Sequence, residues 1–195
     1  MEESSFTRWL KSLAAEASKF ETELKDLELS NTRFDCQFEK TDFLSAGSDA
    51  LEFMISLNPG EPLLPLKKIV SAGEVSRIML AMKKALMKVD PVLTLIFDEI
   101  DANIGGRLGE VTGQKLKEIA AERQVLLITH LPQIASFADR HFKVSKTVKA
   151  GKTFTEYEII EGNERVQELA QMMSGKRETE ISRKHAEELL TRVRR

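Results

Sequence analysis

Pro91-Val-Leu-Thr-Leu-Ile-Phe-Asp-Glu-Ile-Asp101 is the stretch from which the rest of the chain can be read. Its apolar run, residues 92–97, is bounded by Pro91 on one side and acids on the other, and reads as a fully buried strand. A second run, Val125-Leu-Leu-Ile128, sits inside residues 124–129. Between the two, residues 107–121 show helical spacing through Leu108, Val111, Lys115 and Ile119. Strand, helix, strand is the pattern of a parallel crossover unit. The expected fold class is therefore α/β, with a parallel sheet at its core.

Working outward, residues 58–62 (Asn-Pro-Gly-Glu-Pro) and Pro65 interrupt regular structure ahead of this unit. Before them, residues 33–40 alternate through Phe34, Cys36 and Phe38, and residues 50–57 through Leu51, Phe53, Ile55 and Leu57, as half-buried strands do. Residues 6–24 place Phe6, Trp9, Leu10, Leu13, Ala17, Phe20 and Leu24 at three- and four-residue steps, the signature of one amphipathic helix. Downstream of the crossover, residues 142–148 and 153–160 flank Lys149-Ala-Gly-Lys152, an expected β-hairpin. Two helices close the chain, one with Val166, Leu169, Ala170 and Met173 on its apolar face and ending at Gly175, the other with Ile181, Ala186, Leu189, Leu190 and Val193.

Composition sets limits on function. In 195 residues, 42% hydrophobic and 31% charged, there is material for one sizeable core. A net charge of -2 supplies no overall basic field toward nucleic acid. One Trp and one Tyr do not suggest a stacking platform for single strands. The single Cys36 rules out an internal disulfide framework. With neither a signal peptide nor a long apolar span, a soluble cytoplasmic setting without a membrane partner is expected.

Several residues could carry chemistry. Ser71-Ala-Gly-Glu74 fits a capping box ahead of an expected helix over residues 75–88. Any well-built helix could start this way, but such an N-terminus also offers free N–H groups and a partial positive charge to a phosphate. Asp98 and Glu99 emerge at the carboxyl end of a parallel strand, where open α/β sheets bind ligands. Adjacent residues on a strand point to opposite sides, so one carboxylate can organise hydrated magnesium while its neighbour orients and deprotonates an attacking water. On their own they read equally as solvated acids ending a strand. Asp101 opens a loop in which Asn103, Gly105 and Gly106 tolerate left-handed backbone. His130 ends the second strand and is expected at the same sheet edge as the acids. Asp139, His141 and His185 show no zinc-ligand spacing and read as structural. Gly151-Lys-Thr153 imitates the end of a phosphate-binding loop, but Lys146 stands where the earlier Gly is required, and Gly175-Lys176 is followed by Arg177 instead of Ser or Thr. The chain has no P-loop.

Taken in order, residues 67–80 (Lys-Lys-Ile-Val-Ser-Ala-Gly-Glu-Val-Ser-Arg-Ile-Met-Leu), Leu95-Ile-Phe-Asp-Glu-Ile-Asp101, Ile104-Gly-Gly106 and Ile128-Thr-His-Leu-Pro-Gln133 closely resemble the RecN family of SMC-like ABC ATPases. The similarity continues into residues 58–62 and 141–146. The resemblance implies the carboxy-terminal lobe of an SMC/ABC-type ATPase head over residues 29–195, with residues 1–28 as the returning end of a coiled coil. It implies that Ser71, Ala72, Gly73 and Glu74 form the signature that meets the γ-phosphate of ATP on an opposing head. By the same matching, Asp98 is the magnesium residue, Glu99 the catalytic base, Asp101 the D-loop acid and His130 the switch histidine. The chain departs from the pattern at Ala72, where a second Gly is usual, and at Ala102-Asn103, where Thr-Gly is common.

The resemblance further implies a DNA-repair and recombination ATPase, nucleoid-associated, using ATP and Mg2+. Its partners would be an amino-terminal P-loop lobe of the same protein, a second head in a homodimer, and DNA. This chain alone, lacking a P-loop, is expected to be inactive. The competing expectation is a P-loop-free, metal-dependent phosphohydrolase or nuclease using Asp98, Glu99, Asp101 and His130 directly.

Overall fold

Strand β4 (Thr94–Phe97) pairs in parallel with β5 (Gln124–Leu127), Thr94 opposite Gln124 and Phe97 opposite Leu127. Amide bonds from Gln124 to the Leu93 carbonyl and from Ile128 to the Phe97 carbonyl extend the ladder at both ends. The structure is a computed structural model describing residues 17–44, 47–68, 71–88, 90–149, 151–175 and 178–193. The chain divides into two compact units, one of residues 17–103 and 118–128, the other of residues 104–117 and 129–193.

In the first unit, helix α1 (Ala17–Asp26) buries Phe20 and Leu24. Residues 6–16 of the expected first helix lie outside the described residues. Strands β1 (Arg33–Leu44) and β2 (Gly47–Ser56) pair antiparallel, and Leu64–Pro65 adds a short third strand, β3, against β2. One face of this sheet carries Phe34, Ile55, Cys36 and Phe53 in opposed pairs. Phe20 meets Phe34 edge-on at 4.9 Å between ring centroids, and Phe34 in turn lies 5.5 Å from Phe53, so α1 is fastened to β1 and β2 by aromatic packing.

Helix α2 (Ala72–Ala85) follows, capped by Ser71, whose hydroxyl accepts the Glu74 amide at 3.4 Å. It begins three residues earlier than the expected 75–88, because residues 72–74 are themselves part of its first turn. Ile78, Leu80, Ala81 and Met82 face the core. Beyond α2, Asp90 receives Lys83 at 2.6 Å, and Arg123 donates to the carbonyls of Met87 (2.7 Å) and Asp90 (2.9 Å), tying the entry of β4 to the entry of β5.

The expectation of a fully buried strand over residues 92–97 is corrected. Leu95 and Phe97 are buried, whereas Ile96 is 70% exposed, and across the ladder Leu126 and Ile128 are exposed too. Alternation on a parallel strand means that one face of the sheet is covered and the other bare.

Helix α3 (Gly106–Ala120) supplies the crossover between β4 and β5. In the second unit, the short helix α4 (Pro132–Ala135) is followed by the hairpin of β6 (His141–Lys149) and β7 (Lys152–Ile160). Gly151, at φ +75°, makes its turn, which places the P-loop imitation in a hairpin. Helices α5 (Gly162–Ser174) and α6 (Glu180–Val193) complete the unit. Ala135, Leu169, Ala170 and Ala186 form its core, with Val166, Met172, Met173 and Leu190 against them. Arg165 fixes the end of α4 by donating to the carbonyls of Ala135, Ser136 and Ala138. Among the described residues, no helix is long and apolar enough to cross a membrane.

Candidate functional site

The acids leave β4 through a tight loop. Phe97 is the last strand residue, so the alternation expected to send Asp98 and Glu99 to opposite sides does not reach them. Asp98 is exposed, and its carboxylate accepts the Glu99 amide at 3.0 Å. Glu99 has φ +56°, the left-handed region that costs a non-glycine residue about 1–2 kcal/mol. The Ala102 amide then bonds the Glu99 carbonyl at 3.0 Å, closing a turn, and Asn103 leaves it with φ +60°. The side chain between them, Ile100, is fully buried and anchors the loop. Asp101 is also inside, at 3% exposure, while Glu99 remains exposed. A strained backbone at the one residue expected to act on water is the kind of outlier that surrounding structure must hold in place.

What holds it is helix α2. The Ser76 hydroxyl donates to the Asp98 carbonyl at 3.2 Å, and the Arg77 guanidinium donates to the Ala102 carbonyl at 3.2 Å. Gly73 allows the approach: a Cβ there would lie 2.8 Å from the Ala102 oxygen and 3.0 Å from its Cβ. Gly73 is thus required for packing against the acid loop, whatever touches its other side. Ala72, the departure from the family pattern, takes the first helical position with an exposed side chain and no positive φ. Among the described residues the Glu74 carboxylate makes no return bond to the Ser71 amide, so the capping box is half formed.

Arg77 was not legible as a site residue, although its spacing four residues after Gly73 puts the two on one helix face. It is 7% exposed, and its Nε has no partner. Burial lowers the guanidinium pKa from its ordinary value, while the carboxylates of Glu74 and Glu28 act in the opposite direction. Arginine stays charged under such shifts, so a buried cation lies below the first turn of α2.

His130 belongs to the second unit, where it is exposed just ahead of Leu131, whose amide bonds the Thr129 hydroxyl at 3.0 Å. Pro132 then opens α4. The remaining residues expected to act are in the first unit. For Mg2+, the donor set fits the ordinary protein contribution of one or two carboxylates completed by substrate phosphates and water, with the exposed Asp98 at the strand's carboxyl end. Among the described residues no three of His, Cys, Asp and Glu gather to hold a metal. Burial of Asp101 weighs against the self-contained phosphohydrolase or nuclease, which needs that acid at the metal.

No protein-family model matches the chain. It is 38% identical over 196 residues to the DNA repair protein RecN of Halalkalibacterium halodurans, an alignment covering 97% of this chain and 35% of that protein. It is 43% identical over 180 residues to the DNA repair protein RecN of Treponema pallidum, covering 89% of this chain and 31% of the relative. The chain thus spans about a third of the length of these curated relatives, in their carboxy-terminal part. Among solved structures, the Smc head domain with a coiled coil and joint from Pyrococcus yayanosii matches with a TM-score of 0.59 at 20% identity, over 84% of this chain and 30% of that one, a likeness of fold.

Proposed function

The chain belongs to the RecN family, corresponding to the carboxy-terminal part of its members, and we propose that it is one lobe of an ATP-hydrolysing head that acts in recombinational repair of DNA double-strand breaks. The observation that carries this reading is the bare face of the β4–β5 sheet. Parallel sheets are normally covered on both faces. Here Ile96 (70% exposed), Leu126 and Ile128 lie open on a sheet that ends in Asp98 and Glu99. A further lobe is needed to cover that face, and it is also where the P-loop missing from this sequence would reside. The hairpin leaves a second apolar face open in the other unit, through Phe142, Val144, Tyr157 and Ile159.

In this proposal the amino-terminal lobe holds ATP and its Mg2+, the ion neutralising charge on the transferring phosphoryl group. The Asp98 carboxylate supports the ion, and Glu99 orients a water and takes its proton on a carboxylate oxygen. The free N–H groups at the first turn of α2, with the Ser71 hydroxyl, meet the γ-phosphate carried by a second head, so nucleotide joins the two heads and hydrolysis parts them. By the family matching, His130 would serve as the switch histidine of this head. Residues 1–28 would return from the coiled coil, and DNA engagement at the nucleoid would depend on the joined state.

The test is magnesium-dependent ATP hydrolysis by this chain alone and with a separately produced amino-terminal lobe. Activity only in the mixture, lost with Glu99→Gln while nucleotide-dependent association persists, is the expected result. Equal activity without the partner overturns it.

A further inference from the structure

Helix α2 touches the acid loop at both of its ends, and one side chain spans the distance from the anion-facing turn to the loop. The Arg77 NH1 lies 3.3 Å from the position a Gly73 Cβ would occupy, which puts the cation directly under the residues 71–74 turn. The same nitrogen donates to the Ala102 carbonyl, and the Ala102 amide is bonded to the Glu99 carbonyl. A series of hydrogen bonds therefore runs from Arg77, which lies beside Gly73, through Ala102 to Glu99. A second strap, from the Ser76 hydroxyl to the Asp98 carbonyl, holds the loop at its other end.

We propose that Arg77 is a positioning residue that couples phosphate contact at the first turn of α2 to the placement of Glu99, a role that rests on the head reading above. Its charge adds to the positive end of the helix, so an anion arriving at residues 71–74 draws on a buried cation one turn away. Any shift of the guanidinium toward that anion is felt at the Ala102 carbonyl. Because Glu99 is held left-handed, a small movement of the loop can change its backbone state instead of merely tilting it. In this way a lobe that lacks the P-loop would still sense nucleotide on the opposing head and set its own acid accordingly.

The coupling is tested in the full-length protein by steady-state ATP hydrolysis with Arg77→Met, Arg77→Lys and Ser76→Ala. For Arg77→Met, kcat should fall about 10- to 100-fold, with KM for ATP within about two-fold of the parent, as expected when a reacting group is misplaced but substrate binding is kept. Arg77→Lys retains a donor able to reach the Ala102 carbonyl and should recover part of kcat at equal folded fraction. A merely structural arginine would show no such recovery beyond its effect on melting temperature. Unchanged kcat in Arg77→Met, or Lys performing no better than Met, overturns the proposal. If Arg77→Met does not fold, Ser76→Ala decides: it removes only the hydroxyl strap, and a several-fold loss of kcat with unaltered melting is expected, whereas full activity refutes the coupling. Absence of hydrolysis in the parent protein refutes the head reading instead.

Discussion

Replacing Gly73 with alanine measures how tightly the acid loop is seated. The new methyl would lie 2.8 Å from the Ala102 oxygen, against 3.4 Å for the start of ordinary contact, so the loop must withdraw by 3.4 − 2.8, roughly 0.6 Å. The obstacle is backbone, not the end of a flexible side chain, and it is held by Arg77 and by the turn bond to Glu99. Overpacking of this kind costs about 1–3 kcal/mol. Gly73 has no positive φ, so alanine is otherwise welcome in the helix and recovers up to about 1 kcal/mol of propensity. The net expectation is a destabilisation of roughly 0–2 kcal/mol. Urea unfolding of the purified chain, read as a change in midpoint at constant slope, reports it. A gain in stability of about 1 kcal/mol would refute the reasoning, because it would mean that propensity is the whole effect and the Ala102 carbonyl withdraws freely.

The same geometry predicts two further outcomes. Glu99→Gly should relieve the left-handed backbone and raise stability by about 0.5–1 kcal/mol while removing the proposed base, the gain being trimmed by the added freedom of glycine in the unfolded chain; unchanged or lowered stability in chemical denaturation would show that Glu99 is not strained. At His141, burial pushes the pKa below its ordinary 6.5, reinforced by Arg165 and Lys143 and opposed by Glu168, and its buried Nδ1 has no partner. The folded state therefore binds fewer protons than the unfolded one just below pH 6.5, so this contribution is fully present above that value and is lost as pH falls through the window beneath it. Melting temperatures measured from about pH 7.5 down to about 5 should fall less steeply in His141→Gln, and parallel slopes would refute the assignment.

The crossover was legible because its signals are local. A short apolar run fenced by Pro91 and by Asp98 and Glu99, a helical spacing over 107–121 and a second run at 125–128 each depend on neighbouring residues alone. The hairpin was equally open to reading, since alternation on both sides of Gly151 leaves one register. Exposure of Ile96, Leu126 and Ile128 was not, because an apolar residue reads the same whether its cover lies in this chain or outside it. Burial expected of residues 92–97 is the burial of a complete sheet, and only one face receives it from these residues.

At the site, residue identities were readable and the connections between them were not. Asp98, Glu99, Asp101 and the Ser71 turn stand out by type and by position at element ends. Their relation depends on tertiary approach: Gly73 matters because Ala102 comes within what would be 2.8 Å of a methyl group, and Arg77 because its guanidinium reaches a carbonyl 25 residues away. A glycine in a capping turn and an arginine in an amphipathic helix are each ordinary until those distances are known. The left-handed Glu99 makes the same point more sharply, since no sequence rule favours glutamate at positive φ. The helix that would receive phosphate is also the helix that holds this unfavourable residue in place. In the proposed head, nucleotide contact at residues 71–74 and the pose of Glu99 would therefore depend on the same few side chains, so a change at Gly73, Ser76 or Arg77 would alter both together.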